Sequence, residues 1–197
     1  MAAYTINKSY TIEYEIKKSR FITTLIPISS LDECKETLKE IRKKYYDATH
    51  NCYSYIIKDN DTDIIKYSDD GEPSKTAGIV IYDVLCKNEL VNVLCVVTRY
   101  FGGIKLGANG LVRAYSKAAS DVINIIEKIK IEKMTNISFY CEYNYINDCM
   151  KIMERFKEIN KEFTDKAYFT YEIQENLYDD IKNELIKATK GSIKIKE

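Results

Sequence analysis

The residues that could do chemistry in this chain crowd into one stretch, "TRYFGGIKLGANGLVRAY" at positions 98–115. Four of the seven glycines in the chain lie there, Gly102, Gly103, Gly107 and Gly110, interleaved with Arg99, Lys105 and Arg113 and followed by Lys117 before any acidic residue. Glycine lets backbone N–H groups approach a ligand closely and permits positive φ. A helix beginning in such a turn adds free N–H donors and partial positive charge. A buried strand, a glycine turn and a helix carrying cations is therefore a general way to hold an anion. The spacing excludes the familiar versions. After Gly102 and Gly107 a Walker A loop would need Lys-Ser or Lys-Thr, but Ala108 and Asn109 stand there, and G-x-G-x-x-G is absent. The alternative is a tight strand-to-helix crossover in which Arg99 and Arg113 pair with the acidic residues Asp69, Asp70 and Glu72. Both readings stay open, and they are compatible.

Two other constellations carry weaker signals. "YSDDGEPSKTAG", positions 67–78, clusters carboxylates around Asp70-Gly71, with Ser74 and Lys75 following Pro73. It could hold Mg²⁺, but a turn feeding a helix cap explains it more simply. His50 is the only histidine, with Cys52 two residues on. A Cys–His nucleophile pair is conceivable there, but on a strand the two share a face with Cβ atoms about 7 Å apart, loose for proton transfer, so His50 and Cys52 stay the weakest candidates. The reading assigns no catalytic residue, no metal and no cofactor.

The elements that must position these groups follow from periodicity. "YTIEYEI" and "RFITTLIPI" read as two strands joined near positions 17–19, rich in aromatic and β-branched residues. "SSLDECKETLKEIRKKYY" opens a helix, with Ser30 and Glu33 spaced as a capping box and Leu31, Cys34, Leu38, Ile41 and Tyr45 on one face. "THNCYSYIIK" is a strand, and the acidic segment 59–72 a hairpin or long loop. In "TAGIVIYDVLCKN" a helix is favoured, with Thr76 as N-cap. "LVNVLCVVT" is nearly unbroken apolar sequence, as in a strand covered on both faces. Asn109 is the expected N-cap of the following helix, in which Leu111, Tyr115, Ala118, Val122 and Ile125 form the buried stripe. Beyond a boundary near residue 135 the order is βαββαβ, the ferredoxin-like pattern, including a short strand near "EFTDKA" and a helix C-terminus at Gly191.

Bulk properties narrow the classes. Over 197 residues, 30 basic and 30 acidic side chains cancel, so nucleic-acid binding by bulk charge is excluded and any such contact is a local patch. Near-zero net charge mildly favours self-association. Six cysteines at irregular spacing, with no CxxC pair, read as buried reduced thiols, neither disulfide nor zinc ligands. The first residues lack the apolar core of a signal peptide and no uncharged run approaches the ~18 residues of a membrane span, so the expected location is the cytoplasm, with no membrane partner.

Taken together, "SRFIT", "ATHNCYSY", "YSDDGEPSKTAG" and "NVLCVVTRYFGGIKLGANGLVRAY" resemble, in order and spacing, the signature of the IMPACT/YigZ family. The resemblance runs from about Ser19 to Ile126, and the tail resembles the second domain of the bacterial YigZ branch. Three positions depart from the family pattern: Lys75 stands for a usual glycine, Val80 for a usual proline, and Asn109-Gly110 for Gly-Gly. The resemblance implies an α+β protein. Its first domain, residues 1–135, is expected to be like the second domain of ribosomal protein S5, a fold that recurs in domain IV of elongation factor G. Residues 136–197 are expected to be like the last domain of that factor. Family members with better-understood roles act in translation control, in eukaryotes by competing for an activator of a stress kinase. The leading expectation is a non-enzymatic module that binds RNA, the ribosome or a translation-control protein. Arg99, Tyr100, Gly102, Gly103, Lys105, Asn109 and Arg113 would make the contact, and Asp69, Asp70, Gly71, Glu72, Ser74 and Lys75 would support it. The alternative is an enzyme or ligand-binding protein holding an anionic or phosphorylated molecule in the same turn.

Overall fold

The computed structural model describes residues 3–59 and 62–196. Asp61, counted in the acidic segment, and Glu197, at the end of the last expected strand, lie outside them. The elements in chain order are β1 (Tyr4–Thr5), β2 (Tyr10–Ile16), β3 (Ser19–Pro27), α1 (Leu31–Lys44), β4 (His50–Asp59), β5 (Thr62–Ser68), α2 (Gly78–Lys87), β6 (Val93–Tyr100), α3 (Ala108–Ile123), β7 (Ile129–Lys130), β8 (Met134–Cys141), α4 (Ile146–Met153), β9 (Lys157–Phe163), β10 (Ala167–Gln174), α5 (Tyr178–Ala188) and β11 (Lys194–Lys196). The chain forms two compact units, Met1–Ile131 and Glu132–Glu197.

The first unit is a five-stranded antiparallel sheet in the order β2-β3-β6-β4-β5. The apolar run of β6 is central, as its composition requires. Leu94 and Val96 face α1 with Cys34, Ile41 and Tyr53. Val93, Cys95 and Val97 face α2 and α3 with Ile81, Leu85, Leu111, Tyr115 and Val122. The buried stripe of α3 matches expectation except at Ile125, which lies past the helix end and is exposed. β1 and β7 form a separate two-residue ladder, too short to leave a periodic signal.

Three caps differ from expectation. Ser30 Oγ accepts from the Glu33 N–H, but the Glu33 carboxylate turns to the N–H and hydroxyl of Ser29, one residue before the capping-box position. Thr76 does not cap α2, since its hydroxyl donates to the Pro73 carbonyl. Instead Asp69 Oδ1 accepts from the N–H groups of Ala77 (3.0 Å) and Gly78 (2.8 Å). Asn109 is inside α3, whose N-cap is Gly107 at φ 72°.

The second unit is the ferredoxin-like βαββαβ fold. Its antiparallel sheet runs β11-β8-β10-β9, with α4 and α5 packed on one face over Ile137, Phe139, Phe169 and Ile173. The strand expected near "EFTDKA" begins earlier, at Lys157, and the Thr164–Lys166 turn separates it from β10. Gly191, at φ 81°, donates to the Ile186 carbonyl and closes α5.

All six cysteines are free thiols, and only Cys86 is exposed. Burial pushes Cys34 up to about 11 and Cys52, Cys95 and Cys149 up to about 12. A native titration with a thiol reagent is expected to show one fast thiol, Cys86, and six after denaturation; a second fast thiol would contradict the packing. The folded chain holds protons on these sulfurs where the unfolded chain releases them, so stability falls as pH rises from about 9 toward 12.

Candidate functional site: a glycine corner over a buried ion pair

Period two along β6 places Arg99 on the same face as Val97 and Cys95, pointing under α2 and α3. Antiparallel pairing sets it in a row with Phe21 on β3 and His50 on β4. Arg99 is 4% exposed. Its Nη1 donates to Glu72 Oε1 at 2.6 Å, its Nη2 to Ser19 Oγ at 3.3 Å, and its guanidinium carbon lies 5.4 and 5.6 Å from the Phe21 and Phe101 ring centres. Nε has no partner. Glu72 Oε1 also accepts from the Tyr115 hydroxyl at 2.8 Å, and Oε2 lies 3.8 Å from His50 Nε2. Burial drives the Tyr115 hydroxyl far above its ordinary range, so it stays protonated as a donor.

The carboxylates of Asp69 and Asp70 are held by backbone N–H groups and by Arg42. Asp69 caps α2 and accepts from the Lys75 N–H. Asp70 takes the Asn51 N–H at 2.7 Å and Arg42 at 3.1 Å, and its carbonyl meets His50 Nδ1 at 2.9 Å. Asp70, Gly71 and Lys75 all have positive φ, Lys75 at 65°, which gives a physical reason for the glycine usual there. Val80 lies in the first turn of α2, where a proline would also fit. Ser74 is exposed and makes no hydrogen bond among the described residues. No group of three His, Cys, Asp or Glu side chains among the described residues is arranged to hold a metal ion.

His50 and Cys52 share a face but do not bond each other. The Cys52 thiol donates to the Asp69 carbonyl at 2.9 Å and touches the Tyr115 hydroxyl at 3.3 Å. With its pKa pushed up to about 12 by burial it is a structural thiol.

Above this layer sits the corner. Tyr100 bonds Asp47 at 2.8 Å and carries Arg20 over its ring. The Phe101 N–H is taken by Thr49 and that of Gly102 by Ser19. Gly102 presses on the β2–β3 hairpin: a Cβ there would lie 1.9 Å from the Lys18 carbonyl oxygen. Gly103 and Gly107 have φ of 84° and 72°. The corner and the start of α3 enclose an open depression of about 410 Å³, walled by His50, Glu72, Arg99, Phe101 and Leu106, with Lys105 on its rim.

The structure thus separates the cations grouped by sequence. Arg99 faces inward and is neutralised, so it cannot reach a macromolecular phosphate. Arg113 lies in the second turn of α3, because the helix starts at Ala108, and is exposed away from the depression. Arg99 and Lys105 both line the depression, and of the two only Lys105 forms no ion pair among the described residues. Two contributors escape the motif. Tyr115 reads only as a core position, although a buried tyrosine needs a hydroxyl partner. Lys17 and Lys18, both exposed and at φ 48° and 61°, form the hairpin tip against which Gly102 rests.

Comparison with known proteins agrees with this architecture. A family model described as the Impact N-terminal domain matches residues 17–123. IMPACT family member YvyE of Bacillus subtilis is 37% identical over 198 residues, covering 98% of this chain and 90% of the relative. IMPACT family member YigZ of Escherichia coli is 34% identical over 137 residues, covering 69% of this chain and 67% of the relative. A solved structure described as the crystal structure of an hypothetical protein superposes with TM-score 0.67 at 26% identity, covering 98% of this chain and 96% of that one. With the sheet order and the glycine corner falling inside a family model that spans more than half the sequence, and a relative aligned almost end to end, this chain belongs to the IMPACT family.

Proposed function

We propose that this protein is a non-enzymatic translation-control module whose first unit meets a phosphate-bearing partner, RNA or the ribosome, at the mouth of the α3 depression. One observation carries the reading. α3 begins on Gly107 with no side chain capping it, so its first N–H groups and their partial positive charge open beside Lys105. Lys105 forms no ion pair among the described residues, whereas the neighbouring Arg99 is committed to Glu72. The link to translation rests on the family and on likeness to ribosomal protein S5, an argument from fold.

The size of the depression, about 410 Å³ with Arg99 and Lys105 in its lining, favours a second reading, a small phosphorylated ligand held there, and one experiment addresses both. Binding of wild type and Lys105→Ala is measured to ribosomes, mixed cellular RNA and free nucleotides at near-physiological salt. The variant is expected to bind RNA or ribosomes more weakly, with log K against log salt flattened by about one unit and an unchanged thermal midpoint. Nucleotide binding alone would select the small-ligand reading. Wild-type protein that ignores all three would leave the corner as architecture.

A further inference from the structure

The second unit carries a separate surface. Its helices cover one face of the sheet, and the other face shows a row of cross-strand pairs: Tyr140 with Tyr168, Ser138 with Thr170, and Asn136 with Glu172. The tyrosines stand on the two central strands, β8 and β10, with ring centres 5.3 Å apart. Both are half-buried among polar neighbours, so burial alone does not explain two aromatic rings there. Cations surround them. Lys166 Nζ lies 4.8 Å above the Tyr140 ring and Lys196 Nζ 5.3 Å above the Tyr168 ring, while Lys194 pairs in register with Tyr140.

Cations and carboxylates both stand on this face, and the two lysines of one edge strand are left without a carboxylate. The β11 edge presents Lys194 and Lys196, exposed and without an ion pair among the described residues. Carboxylates lie on β9, on β10, in the turn between them and just past the end of β8. Glu162 on β9 is in register with Tyr168, Glu172 is 3.6 Å from Lys157, Asp165 is 3.5 Å from the Tyr168 hydroxyl, and Glu142 is 3.5 Å from Lys166. An aromatic pair beside a cationic edge matches a nucleotide strand, with bases stacked on rings and phosphates along lysines. A duplex is excluded because its base faces are occupied by stacking.

We infer that the open face of the second unit is a stacking platform for single-stranded RNA, two bases resting on Tyr140 and Tyr168 and the backbone following Lys194 and Lys196. This surface is distinct from the glycine corner, and the inference does not depend on the function proposed for that corner.

The test uses the full chain and a fluorescein-labelled ten-nucleotide RNA of mixed sequence, read by anisotropy at near-physiological salt. Tyr140→Leu and Tyr168→Leu keep apolar bulk but remove the π-face, and each is expected to weaken binding on the order of tenfold. Tyr140→Phe and Tyr168→Phe, which retain the ring, should bind like wild type. Lys196→Ala should flatten the salt dependence by about 0.7. Lys187→Ala, exposed on α5 and so on the helix side of the sheet, should leave this short RNA bound within about twofold, which places the contact on the open face. The platform is overturned if wild type does not bind the oligonucleotide, or if the Leu variants bind as tightly as the Phe variants. It is equally overturned if the Leu variants lose a protein partner while RNA binding is untouched.

Discussion

Replacing Glu72 with alanine is expected to destabilise the first unit by about 3–5 kcal/mol, because it strands a buried guanidinium. The Glu72 and Arg99 side chains are 3% and 5% exposed, so little solvent reaches them from the depression they wall to take over from the lost carboxylate. The Tyr115 hydroxyl loses its acceptor in the same step, adding about 1–3 kcal/mol where no relaxation supplies another. Glu72→Gln keeps an acceptor at Oε1 but gives up the charge, and should fall between. The double variant Glu72→Met, Arg99→Met removes both charges and should cost less than Glu72→Ala, since a buried ion pair stabilises little relative to apolar groups of like size. Urea unfolding followed by release of the Cys52 and Cys95 thiols reads the first unit specifically, as both sulfurs lie in its core. A loss under about 1 kcal/mol for Glu72→Ala would show that the pair is solvated in solution.

The two adjacent glycines of the corner should respond differently to alanine. At Gly102 the new Cβ would stand 1.9 Å from the Lys18 oxygen and 2.0 Å from its carbon, both backbone atoms that move only if the β2–β3 turn moves. Overpacking of this kind costs about 1–3 kcal/mol, and the upper end is expected because the turn is fixed by the β2–β3 ladder. At Gly103 nothing lies within 4 Å, and the cost is confined to placing alanine at φ 84°, about 1–2 kcal/mol. Gly102→Ala should also displace the N–H at that position from Ser19 and loosen the Arg99 site, while Gly103→Ala should not. Thermal melts of the two variants, with amide exchange at position 102 in each and in wild type, decide the order. A larger loss at position 103 would mean that the close approach to Lys18 relaxes without cost.

Most of the fold was legible because apolar periodicity is a local signal. The unbroken apolar run of β6 announced a central strand, and the steps of three and four along α3 announced its buried face. The site was less legible because its partners come from afar. Asp69 caps a helix from the far side of the 69–77 loop, a contact that local spacing cannot show. Arg99 read as a corner cation because it ends an apolar run, yet the alternation Val93, Cys95, Val97, Arg99 already put it on the α2–α3 face. The hairpin tip Lys17–Lys18 lacks the Asn-Gly that announces such a turn. Tyr140 and Tyr168 passed as ordinary strand residues, since which face of a sheet the helices cover is a tertiary fact.

The central place of β6 also governs how the chain comes to be folded at all. Thr24 of β3 and Tyr53 of β4 both pair with Val96, so two hairpins made early are joined by a strand made late. At ~5–20 residues per second, synthesis leaves β3 and β4 waiting for seconds with unpaired inner edges. Contacts so remote in sequence also fold slowly. During that interval the nascent chain exposes two apolar strand edges, the inner flanks of the gap that β6 later fills, and its demand for chaperone shielding is greatest there.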